Sequence, residues 1–294
     1  MRIGVFVDGQ DVDSLVRQVR SAHEHDFASA WAPQVFGPDA LTALAVVASQ
    51  VPDIALGTAV VPTYPRHPMV MAAQARTVQQ VSGGRFTLGI GLSHQVVIEG
   101  MLGMPWDKPV RHLREHLSIL MPLARGEAVS FEGDTLTAKL ALGVECEPVP
   151  VLVAALGSQM LSVTGRMADG TVTWMTGPRT IASHVSPTIR RAASDHGRPD
   201  PRIVVALPVA VTDDPDGARG QAAGVFQIYG QLPSYRAMLD REGAAGPAEV
   251  VIAGDAATVR AGIEAVFEAG ATEFVAVPFA ERQRTLDTLA GLLD

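Results

Sequence analysis

The chain has a single cysteine, Cys146, among its 294 residues. That count excludes an intrachain disulfide, and a lone thiol fits a reducing compartment. Positive charge is also scarce: 23 lysines and arginines stand against 31 aspartates and glutamates, for a formal net charge of -8. General nucleic-acid binding, which needs basic surface against phosphate, is therefore not expected. Long apolar runs are missing as well. No stretch approaches the roughly 18 residues that cross a bilayer. Only Ile3 to Val7 separates Met1-Arg2 from Asp8, too short a run for the apolar region of a secretory leader. The expectation is a cytoplasmic protein that acts on a small molecule, with neither membrane nor nucleic acid as partner.

What is present is a rhythm, carried by 47% hydrophobic residues, ample for a full core. Short apolar runs, the first rich in β-branched residues, alternate with stretches that read as helices. Ile3–Val7 precedes Leu15–His25, whose start is marked by Asp11-Val12-Asp13-Ser14. Ser29–Ala32 precedes Pro38–Gln50, Ile54–Val61 precedes Pro68–Val81, and the strand beginning after Gly84 precedes Pro109–Arg125. Residues 129–142 interrupt the alternation, with a hairpin turn predicted at Phe131-Glu132-Gly133-Asp134. It resumes with Pro150–Ala155, Ser158–Ala168, Gly170–Met175, Arg179–His196, Arg202–Val211 and Glu273–Val277, and closes with Glu281–Leu293. Between the seventh and eighth strands lies a long excursion, Asp213–Ala269, ending in a helix over Ala256–Ala269 and reading as a lid around Tyr229, Pro233, Tyr235 and Arg236. The pattern predicts an α/β protein, a (β/α)8 TIM barrel in one domain over 1–294, with insertions after the fourth helix and between strands seven and eight.

In such a barrel the chemistry sits at the C-terminal strand ends. That rule selects Asp8, Trp31, Thr58 to Val61, Ser93 with His94, Ala155 to Ser158, Trp174 to Gly177, and Thr212. Gly89-Ile90-Gly91 begins like a dinucleotide fingerprint, but His94 stands where the third glycine belongs and no helix starts there. Gly91-Leu92-Ser93-His94-Gln95 lacks the second glycine of a nucleophile elbow. No metal site is expected either: His23 and His25 do not share a helix face, and His112 and His116, four apart, have no evident carboxylate partner. Gly157-Ser158 and Gly177-Pro178-Arg179-Thr180 each open a helix on the active face. Free N–H groups there suit a phosphate, although turn and capping chemistry alone accounts for the same residues.

Several segments carry a family likeness: Leu56-Gly57-Thr58-Ala59-Val60-Val61-Pro62, Arg66-His67-Pro68, Ala73-Gln74-Ala75, and Gly84-Arg85-Phe86-Thr87-Leu88-Gly89-Ile90-Gly91, joined by Ala168-Asp169-Gly170 and Glu268-Ala269-Gly270. Together they resemble the bacterial luciferase-like flavin and deazaflavin oxidoreductases, over nearly the whole chain, and within them the actinobacterial branch that uses coenzyme F420. The resemblance implies a flavin-like ring across the barrel mouth, held by strand-end backbone and Trp31, Ala59, Val60 and Trp174, with its phosphate at Gly157, Ser158, Thr176, Gly177 and Arg179, and with Thr58, Ser93, Ala155 and Leu156 as further cofactor contacts. It also implies a non-proline cis bond after strand three, by position Ala59-Val60.

The chain departs from the family's sugar-phosphate dehydrogenases, which carry an Asp-His pair at the end of strand two. Here Trp31 is followed by Ala32-Pro33-Gln34. Where those enzymes place a glutamate acid, this chain has His94, whose imidazole can donate or accept a proton near neutrality. His94 is thus the first catalytic candidate, set against a structural histidine, and His67 the second, set against a helix-starting role. Tyr229, Tyr235 and Arg236 are candidates to close over the substrate. The implied activity is hydride transfer between deazaflavin and a small organic molecule, with FMN-dependent monooxygenation and a non-catalytic flavin-binding barrel as rivals. Finally, Ala40–Val51 is apolar around almost its whole circumference and Met69–Ala75 nearly so. An outer helix needs only one apolar stripe, so a homodimer through helices two and three is expected.

Overall fold

A computed structural model describes residues 1–292 of the chain. Eight parallel strands close on themselves: β1 (Ile3–Phe6), β2 (Ser29–Ala32), β3 (Ala55–Thr58), β4 (Phe86–Gly91), β5 (Val151–Val153), β6 (Gly170–Trp174), β7 (Arg202–Val211) and β8 (Glu273–Pro278). Each pairs with the next, and β8 returns to β1, with Val5 opposite Ala30 on one side and Ala276 on the other. The principal outer helices are α1 (Val12–Glu24), α2 (Ala40–Gln50), α3 (Pro68–Val81), α4 (Pro109–Ala124), α5 (Ser158–Met167), α6 (Ser186–Ser194), α7 (Ala256–Glu268) and α8 (Arg282–Ala290). The expected TIM barrel is the observed fold.

Local chemistry explains most helix starts. Asp11 and Ser14 form a reciprocal capping box at α1, while Asp39 and Asp255 accept from the N–H groups of Thr42 and Thr258 at α2 and α7. Pro68 and Pro109 begin α3 and α4, where a missing N–H costs nothing. The expected hairpin pairs Val129–Glu132 with Thr137–Leu140, but its turn lies two residues later than predicted: Phe131 and Glu132 belong to the strand, and Gly133 N donates to Leu136 O across the turn. Glu115 of α4 pins it, accepting from the backbone N–H groups of Asp134, Thr135 and Leu136.

Four further expectations are corrected. The third strand stops at Thr58 and resumes at Val61–Pro62 alongside β4, the Ala59-Val60 bond between them being cis as expected. A short strand, Ile252–Gly254, extends the outer half of β7 just before α7. The last helix ends at Ala290, and Leu293 lies outside the described residues. The apolar circumference of α2 is mostly covered within the chain: Ala40, Leu41, Ala43, Leu44, Val47 and Ala48 are all buried. Helices α1 and α3 flank it on both sides. That leaves Val46 on α2 and Val70 and Val81 on α3 as exposed apolar residues. Among the described residues no helix is long and apolar enough to cross a membrane.

The barrel interior decides what lies beneath the mouth. Trp31 points inward at 1% exposure. A Cβ at Gly57 would lie 2.4 Å from its indole, so that glycine makes room for it, while one at Gly4 would lie 2.1 Å from Ser29 Oγ, the acceptor of the indole N–H. Its N–H donates to Ser29 Oγ at 2.9 Å and to Glu273 Oε1 at 3.0 Å. Glu273 Oε2 accepts from Arg2 Nε at 2.8 Å and Arg202 Nη2 at 3.1 Å. Burial alone would raise this carboxyl, but the Ser29 hydroxyl and the Arg2 and Arg202 guanidiniums hold it below its usual range. Trp31 therefore fills the barrel interior and offers no surface to a ring at the mouth.

Candidate active site

Strand alternation brings six half-buried apolar side chains to the C-terminal end of the barrel: Phe6, Ala59, Val60, Ala154, Trp174 and Val277. They rest on the buried layer of Trp31, Leu152, Val172, Val204, Ala206 and Val275. The result is an apolar floor contributed by five strand ends. One donor in that floor, Trp174 Nε1, is buried without a hydrogen bond of good geometry, the Tyr229 hydroxyl making only a weak approach to it. An unsatisfied N–H in an apolar surface costs stability unless something bonds to it.

The glycines of β4 permit this floor. A Cβ at Gly89 would meet Thr58 O at 1.9 Å, and one at Gly91 would meet Val60 Cγ2 at 2.7 Å. What approaches the β4 backbone is thus the end of its neighbouring strand. The Thr58 hydroxyl fixes the approach, donating to Gly89 O and accepting from Gly89 N, each at 2.8 Å. Thr58 is fully buried and serves the backbone; Ala59 and Val60 are the residues left open to the mouth.

Beyond β4, Ser93 adopts a left-handed conformation (φ 66°) and delivers His94 to the rim, where, against the expectation that no helix begins there, His94 is the N-cap of a short helix, Gln95–Ile98. The excursion brings aromatic rings to meet it. His94 and Tyr235 lie 5.7 Å apart, Tyr235 and Tyr229 5.1 Å, Tyr229 and Trp174 5.8 Å, and Trp174 and Phe226 5.7 Å, mostly edge to face. His94, Trp174, Tyr229 and Tyr235, scattered over the sequence, form one wall. Burial lowers the His94 pKa and raises those of both tyrosines. At neutral pH the wall therefore carries a neutral imidazole and two phenolic O–H groups, able to pass a proton without a fixed charge.

The two predicted phosphate positions part company. The head of α5 has no side-chain cap, Gly157 and Ser158 are exposed, and nothing lies within 4 Å of a Cβ built on Gly157. The second position heads a continuous helical run, Pro178–Ser194, which includes a π turn at Ile181–Val185. There Glu242, from the excursion helix Pro233–Glu242, accepts from Arg179 N at 3.1 Å and Thr180 N at 2.7 Å. A protein carboxylate occupies the N–H groups expected to meet phosphate.

Other candidates are redirected. His67 Nδ1 accepts from Met69 N at 3.2 Å, so the side chain caps α3. Arg236 is bonded to Asp240 and to the carbonyls of Ala244 and Ala245, stitching the excursion together and facing no substrate. Ala155 and Thr176 are buried, Thr176 bonding back to Trp174 O at 3.0 Å. Leu156 supplies a carbonyl to His184 Nε2 at 2.8 Å, and Arg179 is exposed. His112 stacks on Tyr64 with ring centroids 4.0 Å apart, and no group of three or more metal-ligating side chains occurs among the described residues.

The model of one family, luciferase-like monooxygenase, matches residues 1–273. The chain belongs to the luciferase-like monooxygenase family. Among family relatives, the 5,10-methylenetetrahydromethanopterin reductase of Methanolobus tindarius is 27% identical over 233 residues, covering 78% of this chain and 70% of its own. A putative coenzyme F420-dependent oxidoreductase of Mycobacterium tuberculosis is 28% identical over 235 residues, covering 73% and 68%. The coenzyme F420-dependent tetrahydromethanopterin reductase structure from Methanopyrus kandleri superposes with a TM-score of 0.83 at 21% identity, covering 98% of this chain and 97% of that one.

The strand-end rule passes over four residues of this family member that join these surfaces. Phe6, Ala154 and Val277 belong to the floor and Phe226 to the wall. Counting by twos from Gly4 and from Val275 would have found Phe6 and Val277. Nothing local marks Phe226 or Glu242.

Proposed function

We propose that this protein is an F420-dependent oxidoreductase that transfers a hydride between the deazaflavin ring and a small organic substrate, acting as a reductase. The carrying observation is the apolar floor of Phe6, Ala59, Val60, Ala154, Trp174 and Val277 with its one unsatisfied N–H, faced by the His94 wall. A flat heteroaromatic ring suits that floor, and its polar edge suits Trp174 Nε1. Of the two helix heads, only that of α5, exposed at Gly157 and Ser158, is left open to a phosphate. The head of the Pro178 run is not, because Glu242 already holds its N–H groups.

When bound, the deazaflavin supplies the hydride; the protein's own residues do the rest. Floor side chains orient the ring and exclude water from one face. Tyr229 and Tyr235, in the wall beside Trp174, would flank the ring as protonated donors. His94, without a side-chain capping bond, is free to exchange the proton that accompanies the hydride. The scarcity of charge in floor and wall suits a largely apolar or aromatic substrate. His94→Ala should lower turnover on the order of 10²-fold or more while changing cofactor affinity little. Equal turnover would remove His94 from the mechanism, and tight FMN binding without F420 binding, followed by Trp fluorescence, would move the reading to a flavin monooxygenase.

A further inference from the structure

Glu242 is placed against the ordinary electrostatics of its own helix. It is the last residue of Pro233–Glu242, where the helix dipole disfavours a carboxylate, and Gly243 follows in a left-handed turn with φ 78°. Its stabilisation comes from another helix: Arg179 N and Thr180 N donate to its two oxygens at 3.1 and 2.7 Å. Contact is tight enough that a Cβ on Gly177 would lie 2.4 Å from the Glu242 carboxyl carbon and from Oε1. The Thr180 hydroxyl adds a bond to Met238 O at 3.2 Å, fixing the same pair of elements a turn away. Gly177 is therefore small because a carboxylate sits on it, and an anionic ligand at that point meets a fixed negative charge.

We infer that Glu242 is a specificity-determining residue: it fills the anion seat at strand six, so that a flavin or deazaflavin gains little affinity from its phosphate in this protein. This rests on the proposed ring site and refines it, assigning the phosphate only the open head of α5. Recognition then depends mainly on the ring and the apolar floor. Phosphate-free and phosphorylated forms of one chromophore are accepted at similar strength.

The test is a set of binding titrations by chromophore and tryptophan fluorescence. The ligand pairs are riboflavin with FMN, and 8-hydroxy-5-deazariboflavin with its 5′-phosphate. For the unaltered protein the two members of each pair are expected to bind within about threefold of each other. In Glu242→Gln the phosphorylated member should tighten about tenfold, the order expected for removing one nearby, partly screened charge, while the phosphate-free member stays unchanged. Glu242→Ala should give the same pattern if the amide variant fails to fold, and Glu249→Gln, another carboxylate of the excursion, should leave both affinities unaltered. Phosphate preference above tenfold in the unaltered protein, or equal shifts for both members in the variant, overturns the role of Glu242 and leaves the ring site standing. Binding of none of the four ligands to any variant overturns the ring site and this inference together.

Discussion

The two ends of the barrel are built on opposite principles. At the N-terminal end a cavity of ≈ 400 Å³ is lined by Arg2, Arg85, Thr87 and Arg202, yet every one of those guanidiniums is engaged. Glu273 holds Arg2 and Arg202, and the carbonyls of Ile54 and Ala48 hold Arg85. At the C-terminal end the surface is apolar and its one indole N–H is unsatisfied. The charged cavity is a finished structural plug, and the apolar floor is the candidate site. Satisfaction of polar groups separates the two better than cavity size or charge.

The strongest way to break this contrast is Glu273→Ala. Removing the carboxylate takes the acceptor from the buried Ser29 hydroxyl and from two part-exposed arginines, while the Trp31 N–H keeps Ser29 Oγ, and about 3 kcal/mol of stability should be lost in urea unfolding. Cofactor affinity of the folded fraction should stay within about twofold; a selective loss of binding would place function at the wrong end.

Gly89→Ala acts at the mouth instead. The added Cβ would stand 1.9 Å from Thr58 O, so β3 or β4 must shift, at a cost of about 1–3 kcal/mol. Because Thr58 leads directly into Ala59 and Val60, ring binding should weaken with it. Unchanged cofactor affinity would show that the floor tolerates displacement and that its shape is not what holds a ring.

A third place sharpens the rule. His116 is fully buried between outer helices, and neither of its ring nitrogens has a hydrogen-bond partner. Burial, with His112 and His67 nearby, pushes its pKa down to about 3. Folded-state depression means that the stability present above the unfolded value near 6.5 is lost as pH falls from there toward 3. His116→Leu should therefore change stability little at pH 7, and relative to the unaltered protein should gain about 1.4 kcal/mol for each pH unit below 6.5. Thermal midpoints across that range provide the check. Activity at pH 7 should be retained, since an unsatisfied group that is sealed in is not thereby a site.

Much of this was legible in the residues themselves. The alternation of short apolar runs with capped helices determined eight strands, their parallel order and a closed barrel, because each strand buried on both faces must be apolar and each helix must cover one. The same alternation, with the rule that barrels work at their C-terminal strand ends, singled out Ala59, Val60, Trp174, Gly157 and His94, and the Gly-Ile-Gly run marked a close backbone approach. What approaches was not legible: that Thr58 and Val60 fill the space is a relation between neighbouring strands. Trp31 and Thr58 stood at strand ends in the sequence but belong to the interior and to a backbone bridge, since one residue of register or one broken strand reverses the facing of a side chain. Only the tertiary structure placed Tyr229, Tyr235 and Phe226 against His94 and Trp174. It alone set Glu242 on Arg179 N and Thr180 N, 62 residues from its nearer partner. Contacts made by a long excursion depend on how it folds back, and no local pattern encodes which backbone N–H groups a distant carboxylate will meet only then.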